Sequence, residues 1–230
     1  MGVQVPGSGE LVLCEHGNRV VTRMEKNGTR TVLATHFNGH RLNSPNDLVF
    51  SKRGDLYFTD PPFGFPLMEA DPEFAAFGIA GVYRVRKETM EAARASDDIC
   101  ARPNGLAFSP DSSKMYLTHS SDNEPFWYVY DVSEDGDLSN RRLFFDGRPI
   151  QQMTGYPSHG PDGMKVDERG NIFSSASGGV AVLSPSGEHL GMIIVDEMFI
   201  SNVVIGGDGY LYMTASDSIL RIKVLVKPAP

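Results

Sequence analysis

The sequence has few cysteines, no long apolar run and fewer positive than negative charges, and each shortage excludes a class of protein. Its two cysteines, Cys14 and Cys100, are too far apart for a CxxC motif, and two cysteines do not make a disulfide scaffold. The best apolar run, residues 191–195, is far shorter than the roughly 18 residues of a membrane helix. With 21 Lys and Arg against 29 Asp and Glu, the formal net charge is −8. Because no basic block is present, we expect neither nucleic acid nor an anionic membrane as a partner.

The first nine residues also lack the features of a secretory signal peptide. Residues 1–9 contain neither a basic segment nor an apolar core. We therefore expect the protein in the cytoplasm, unless a preceding segment of a longer protein carries a signal.

Short alternating runs of apolar and polar residues make up most of what the chain does contain. Glycine (24 residues) and proline (15 residues) are frequent, and the alternating runs lie between them, as at 81–86, 126–130 and 219–224. Period-two alternation bounded by turn residues is typical of strands. Only residues 67–77 and 90–95 favour helix. The sequence predicts an all-β protein.

Four segments repeat one pattern: a strand, a polar turn, and a second strand that ends near Ser, Thr or His. They begin at Asn46, Asn104, Asp162 and Asn202, spaced by 58, 58 and 40 residues (104 − 46, 162 − 104 and 202 − 162). A third strand follows the second in the first three segments. A repeated four-stranded unit of about 40–50 residues is typical of a β-propeller blade. An immunoglobulin-like sandwich, the competing all-β fold, would not repeat its turns in this way.

The number of blades raises a question of closure. Residues 10–37 add three strands, at 10–15, 19–24 and 29–34, so the chain holds about four and a half to five blades. A ring has to close, because an open one leaves two unpaired sheet edges. We therefore expect residues 1–230 to form a single β-propeller domain that lacks an N-terminal portion of a larger ring. An unusually small ring is the alternative.

The first residues of the repeats carry side-chain oxygens. The innermost strand of a blade starts toward the central channel, so these oxygens would converge near its axis. Amide and carboxylate oxygens suit a hard cation such as Ca²⁺, Mg²⁺ or Mn²⁺. The alternative is that each side chain only starts its strand through a local hydrogen bond to the backbone. We favour this alternative for Asn202, which follows Ser201 where the other three residues follow proline.

Five motifs, taken in order, resemble the regucalcin/gluconolactonase family. They are CEHGNRV at 14–20, RLNSPNDL at 41–48, YFTDPPFG at 57–64, RPNGLAFSPD at 102–111 and PDGMKVD at 161–167. The ordered set covers the chain from about residue 10 to residue 224. A single Pro-Asn-Gly would be weak, but the ordered set is specific.

The resemblance implies a six-bladed propeller that hydrolyses sugar lactones with one divalent cation at the top of the channel. Asn104 and Asp162 match two metal ligands of the family, and Asn46 matches a residue that faces the substrate or the metal. The family's third ligand, a glutamate in a Glu-Gly-Pro motif, has no counterpart in this sequence, which agrees with a missing first blade. With one carboxylate we expect weak binding of the cation, and slow or absent turnover by this chain alone. Calcium is expected first, with zinc, manganese or magnesium as alternatives.

We therefore predict metal-dependent hydrolysis of a sugar lactone to the aldonic acid. The cation would polarise the lactone carbonyl and lower the pKa of a bound water. Asp162 is the candidate general base as well as a ligand. Asn104 would bind the metal through its carbonyl oxygen, and Asn46 would donate its amide to the substrate. His159 is a candidate substrate contact, and its alternative is a surface position.

Other side chains have both functional and structural interpretations. Asp60 and His119, which end second strands, either contact the site or have a local structural role, which for Asp60 is to cap the turn that follows it. Trp127 is predicted to pack between blades. The phenylalanines inserted after Pro62 predict an apolar channel mouth, a lid or packing beneath the blades. They are Phe63, Phe65, Phe74 and Phe77.

Two other functions are compatible with the same fold. A truncated, non-catalytic propeller would bind a small polyol or a protein partner. An arylesterase-like or phosphotriesterase-like hydrolase would use the same metal beneath a more apolar channel mouth. The sequence leaves open which lactone is cleaved, which metal is used and what the oligomeric state is.

Overall fold

The structure, a computed structural model, describes residues 3–4, 10–156, 159–196 and 199–230. Of the first nine residues, in which the sequence predicts no signal peptide, all except Val3–Gln4 lie outside the described residues. The chain divides into two compact units, residues 1–104 and 105–230. Each unit is described by itself.

The first unit contains two four-stranded antiparallel sheets whose strands pair in sequence order. The first sheet is β1 (Val3–Gln4), β2 (Leu11–Glu15), β3 (Val20–Met24) and β4 (Arg30–Ala34). A hairpin of β5 (His36–Phe37) and β6 (His40–Arg41) follows. The second sheet is β7 (Leu48–Phe50), β8 (Leu56–Thr59), β9 (Val82–Val85) and β10 (Ala92–Arg94).

The second unit continues with sheets of the same kind. The third sheet is β11 (Pro103–Phe108), whose first two residues belong to the first unit, β12 (Lys114–His119), β13 (Phe126–Val132) and β14 (Leu138–Asp146). The fourth sheet is β15 (Met164–Val166), β16 (Ile172–Ala176), β17 (Gly179–Leu183) and β18 (His189–Ile194). The fifth sheet is β19 (Ile200–Ile205), β20 (Tyr210–Ala215) and β21 (Ser218–Lys223).

Five sheets of consecutive antiparallel strands, counted over the described residues, are five propeller blades. The prediction of an all-β propeller with about five blades in this chain is therefore confirmed.

Helices are few and short. In the insertion between β8 and β9, a 3₁₀ turn (Met68–Ala70) is followed by helix α1 (Pro72–Phe77), which confirms the helix predicted within residues 67–77. The side chain of Asp71 caps α1 by accepting the N–H of Glu73 at 3.0 Å. Helix α2 (Arg148–Thr154), which the sequence did not predict, follows β14. None of the helices in the described part of the chain is long and apolar enough to cross a membrane.

The prediction of a helix at residues 90–95 is wrong. Residues 92–94 of this segment form β10, which pairs with β9 so that Ala92 lies opposite Val85 and Arg94 opposite Tyr83. Six residues with good helix propensity cannot nucleate a stable helix alone. The open edge of β9 offers the same residues backbone hydrogen bonds and a side for packing, so tertiary pairing determines the outcome.

In each unit, the apolar faces of neighbouring sheets form the core. In the first unit, Val12, Cys14 and Val21 of the first sheet pack with Leu48 and Phe58 of the second. Cys14 and Cys100 are both buried free thiols. Burial of such apolar faces supplies most of the stabilising free energy.

In the second unit, Trp127 fills the space between the third and fourth sheets. Its side chain is buried in the cluster that includes Met164 and Ile172. The indole Nε1 donates to Ser174 Oγ at 2.8 Å, and the ring lies edge-on to Phe145. The prediction that Trp127 packs between blades is confirmed.

Candidate functional site

The first unit brings together the side chains of two predicted site residues. Asn46 lies two residues before β7, and Asn104 is the second residue of β11. Nδ2 of Asn46 donates to Oδ1 of Asn104 at 2.9 Å. Both residues are buried, with 6% and 4% exposure. An amide oxygen has two acceptor positions, so Asn104 Oδ1 can accept this bond and also face a cation.

Thr59, the last residue of β8, fixes the backbone on both sides of this pair. Its hydroxyl accepts the N–H of Asp47 at 3.0 Å and donates to the carbonyl of Asn104 at 2.8 Å. The carbonyl of Thr59 accepts the N–H of Asn46 at 2.9 Å. Thr59 is fully buried, and its one side chain bonds to the backbone near the starts of two strands.

Asp60 holds the loop that leads to Asn46. Its Oδ2 accepts the N–H of Asn43 at 2.7 Å, and its Oδ1 accepts the N–H of Ser44 at 2.8 Å. Burial raises the pKa of this carboxyl to about 7, against the opposing effects of the two hydrogen bonds and of Arg19. The carboxylate of Asp60 therefore caps the 43–44 loop. Its hydrogen bonds within the described residues do not include one to the turn that follows it, which the sequence predicted it to cap.

The second unit repeats the hydroxyl arrangement around Asp162. Thr118, near the end of β12, accepts the N–H of Gly105 at 2.7 Å and donates to the carbonyl of Asp162 at 2.8 Å. Ser175 Oγ in β16 accepts the N–H of Asp162 at 2.7 Å. Both hydroxyl residues are buried, whereas Asp162 is half-buried. The backbone of the candidate base is thus held from both neighbouring strands.

Two motif positions require glycine because atoms of the next motif lie very close to their backbone. A Cβ on Gly105 would overlap the carbonyl oxygen of Asp162, and a Cβ on Gly163 would overlap the side chain of Asn202. Because the glycines of Pro-Asn-Gly and Pro-Asp-Gly have no side chain, the residue that starts the next motif can lie directly against their backbone.

The remaining predicted residues have local or surface positions. Asn202 Oδ1 accepts the N–H of Val203 at 2.8 Å, which is the strand-starting bond favoured for it. His159 is exposed in the second unit, and its ring lies 4.9 Å from that of Phe199. His119 is buried, edge-on to the ring of Tyr128. The role of His159 as a substrate contact stays a prediction.

The aromatic insertion packs onto the first unit. Phe65 is buried, its ring lies 5.8 Å from that of Phe74, and the guanidinium of Arg19 lies 4.8 Å above it. Phe63 is half-buried, and the side chain of Phe77 lies outside the described residues. For Phe65 and Phe74, packing is therefore the better of the predicted interpretations.

The predicted donor set has the chemistry of a calcium-type site. The described residues hold no group of three or more His, Cys, Asp and Glu that could bind a metal. A set of amide oxygens with one carboxylate is of a different kind, and all of its donors are the oxygens that hard cations prefer. The buried Asn46–Asn104 pair of the first unit has donors of this kind, and the joint role of Asn104 and Asp162 as ligands stays a prediction.

Sequence reasoning missed the side chains that hold these residues in place. These are Thr59, Thr118 and Ser175, each at or near the end of a second strand. Asp60 was a candidate from the sequence, and what was missed is that it holds the 43–44 loop. The signal was present, because the repeat ends its second strands near Ser, Thr or His. What could not be read from the sequence was that the hydroxyls of Thr59 and Thr118 also bond to the motif of the next strand pair.

Comparison with known proteins points to one family. The family model described as the SMP-30/gluconolactonase/LRE-like region matches residues 1–217. A curated gluconolactonase of Zymomonas mobilis is 34% identical over 232 residues, which cover 96% of this chain and 62% of that protein. The chain thus spans less than two thirds of the length of this relative.

Solved structures agree with that match. A gluconolactonase from Xanthomonas campestris is 33% identical with a TM-score of 0.82, over 96% of this chain and 71% of that one. A calcium-binding regucalcin from Agrobacterium tumefaciens has a TM-score of 0.74 at 16% identity, over 98% of this chain and 76% of that one. At that identity the likeness concerns the fold alone.

Proposed function

The chain belongs to the SMP-30/gluconolactonase/LRE-like family, and on that premise we propose that it hydrolyses a sugar lactone to the corresponding aldonic acid. The observation that carries the proposal is the buried contact between Asn46 and Asn104, 2.9 Å long. These two residues stand in the two Pro-Asn motifs, and the pairing of their amides supports the roles in substrate and metal binding that the family resemblance implies. The similarity to gluconolactonases supports the substrate class.

Hydrolysis adds water to the lactone carbonyl, breaks the ring carbon–oxygen bond, and returns a proton to the ring oxygen, which leaves as a hydroxyl group. The site must therefore take a proton from the water and stabilise the carbonyl oxygen as it becomes negative. We assign the first task to the carboxylate of Asp162, whose backbone Thr118 and Ser175 hold in place. Asn46 orients the substrate through its amide.

A divalent cation is part of the proposal. Asn104 would hold it through Oδ1 and Asp162 through its carboxylate, and when bound it supplies polarisation of the carbonyl and a water of lowered pKa. Oxygen donors favour calcium, with zinc, manganese and magnesium as the alternatives to test. We expect weak binding, because one carboxylate offsets only part of the charge of a dication.

The test is hydrolysis of glucono-δ-lactone by the purified chain, followed by pH-stat and corrected for spontaneous opening. Each of Ca²⁺, Zn²⁺, Mn²⁺ and Mg²⁺ is compared with EDTA, for the wild type and for Asp162→Asn. Asp208→Asn is the matched control, because it makes the same change at an exposed acid in the turn between β19 and β20.

The expected result is turnover that requires a metal, is lost in Asp162→Asn and is kept in Asp208→Asn. Turnover that persists in Asp162→Asn would remove this residue from the chemistry. Absence of turnover with every metal, from protein folded by circular dichroism, would favour the non-catalytic propeller that binds a polyol or a protein. Phenyl acetate as a second substrate tests the arylesterase alternative. The cytoplasm stays the predicted compartment.

A further inference from the structure

Asp60 is a buried acid that the proposed chemistry does not use. Its side chain has no exposed surface, yet both carboxylate oxygens accept backbone N–H groups, from Asn43 at 2.7 Å and from Ser44 at 2.8 Å. Burying a carboxylate is costly unless hydrogen bonds compensate. The two bonds make this acid the fixed point of the 43–44 loop.

The same loop is held by a second set of bonds to the segment after Asp60. Nδ2 of Asn43 donates to the carbonyl of Asp60 at 3.1 Å. Oγ of Ser44 donates to the carbonyl of Pro61 at 2.6 Å and accepts the N–H of Gly64 at 2.9 Å. Backbone and side chain of both loop residues therefore bond to residues 60–64, and the loop has little freedom to shift.

This loop leads directly to the proposed substrate-binding amide. Asn46 follows Ser44 by two residues, with Pro45 between them limiting the backbone. Its N–H bonds to the carbonyl of Thr59, the neighbour of Asp60, at 2.9 Å. Asp60 and Thr59 thus hold the two ends of the segment that carries the Asn46 side chain.

We propose that Asp60 is a positioning residue for the lactone site: its carboxylate holds the 43–46 loop and thereby sets the orientation of the Asn46 amide. The inference rests on the proposed role of Asn46 and deepens it. It adds a residue that acts through the backbone without touching the substrate.

A small cavity lies beside Asp60. The cavity has a volume of about 40 Å³ and is lined by Asp60, Asn43, Leu42, Ile79 and Tyr83 among others, which is room for a water molecule. The titratable and charged groups that face Asp60 or share this cavity come from several elements. They are Cys14, Arg19, His40, Arg41 and Tyr83.

Protonation should loosen the loop. A protonated carboxyl has one O–H donor in place of an acceptor, so it cannot accept both N–H groups equally well. The pKa of Asp60 is raised to about 7 by burial, against the opposing effects of the hydrogen bonds from Asn43 and Ser44 and of the charge of Arg19. The loop should therefore be held firmly above neutral pH and less firmly below it.

The first test is Asp60→Asn, which keeps the shape but turns an NH₂ donor toward one of the two N–H groups. The matched control is Asp167→Asn in the second unit. Asp167 is equally buried, and its Oδ1 accepts the N–H groups of Arg169 and Asn171 at 2.9 and 2.7 Å. We expect both variants to lose stability, and only Asp60→Asn to lose kcat/KM, by about 10- to 100-fold. Equal loss of kcat/KM in both variants would overturn the proposal.

A second test does not depend on activity. The side-chain NH₂ signals of Asn46, assigned with Asn46→Ala, are followed by NMR in the full chain across the range on either side of pH 7. In the wild type they should move together with the backbone amides of Asn43 and Ser44, and in Asp60→Asn this dependence should disappear. If Asp60→Asn does not fold, the wild-type titration is still decisive.

The two tests separate the outcomes. If the Asn46 side-chain signals did not change with pH while the Asn43 and Ser44 amide signals did, the positioning role would be overturned. A coupled titration in a protein that hydrolyses no lactone would keep the positioning role and reject the proposed function.

Discussion

At the scale of single residues, buried hydroxyls decide how neighbouring strands begin. Thr59 and Thr118 each accept one backbone N–H from their own motif and donate to the carbonyl of the residue that starts the next motif. Thr214 also donates to a backbone carbonyl, that of Asn202 at 3.2 Å, but Asn202 lies in its own motif and Thr214 is exposed. The chain therefore contains buried and exposed threonines that each donate to a backbone carbonyl, and these can be compared.

Thr118→Val should destabilise the protein by about 1–3 kcal/mol. Valine keeps the shape of threonine but leaves the N–H of Gly105 without this buried acceptor and the carbonyl of Asp162 without this donor. Thr214→Val should cost less than about 0.5 kcal/mol, because water replaces the lost bond at an exposed position. Urea unfolding measures both, and equal losses would show that burial of the hydroxyl does not matter.

Gly105→Ala should lower both stability and activity. The added methyl group would overlap the carbonyl of Asp162 and crowd Gly163, and such overpacking costs about 1–3 kcal/mol. Because the displaced residue is the candidate base, hydrolysis should fall more than stability alone explains. Gly207→Ala is the control, since a Cβ there meets no atom within 4 Å. Normal hydrolysis by Gly105→Ala would argue against the position assigned to Asp162.

At the scale of elements, the strands were predictable because their signals are local. Strands predicted at 10–15, 19–24 and 29–34 are Leu11–Glu15, Val20–Met24 and Arg30–Ala34. Alternation and turn residues mark such segments without reference to the rest of the chain. Residues 90–95 failed as a helix because the open edge of β9 lies beyond any local window.

The candidate site also has a part that the sequence predicted and a part that it did not. The motifs placed Asn46 and Asn104 at the starts of strands, and the structure brings their side chains together, while their roles stay predictions. The bonds of Asp60 to residues 43 and 44 were not predictable, since they join segments 16 and 17 residues apart through side-chain-to-backbone contacts. Candidate binding residues that stand in motifs can be predicted from the sequence, whereas the residues that position them are identified only in the folded structure.

One element prediction concerns residues 227–229, which lie beside β15 in the second unit. The N–H of Ala229 donates to the carbonyl of Val166 at 3.0 Å, and the N–H of Glu168 donates to the carbonyl of Lys227 at 2.9 Å. Ala229→Pro removes one donor and should abolish the hydrogen-exchange protection of the Glu168 amide. Ala229→Gly keeps the donor and should keep most of the protection. Equal protection in both variants would mean that this pairing does not form.

At the scale of the whole molecule, charge and the proposed cation lead to one measurable effect. The formal net charge of −8 means that any cation relieves some repulsion by screening, without a specific site. A bound cation stabilises in addition, by RT ln(1 + [L]/Kd), which is about 2.7 kcal/mol at a hundredfold excess over Kd. Screening and binding have to be separated before calcium is assigned to the site.

We expect calcium at a hundredfold excess over its Kd to raise the melting temperature by roughly 5–10 °C, since about 1 kcal/mol shifts a domain of this size by about 2–4 °C. Potassium chloride at equal ionic strength measures the screening part. Asn104→Ala combined with Asp162→Asn removes both proposed ligands, and should reduce the calcium effect to that of potassium. If the double variant responded to calcium as the wild type does, the cation would bind elsewhere. The assignment of Asn104 and Asp162 would then fail, even though the motifs resemble those of the family.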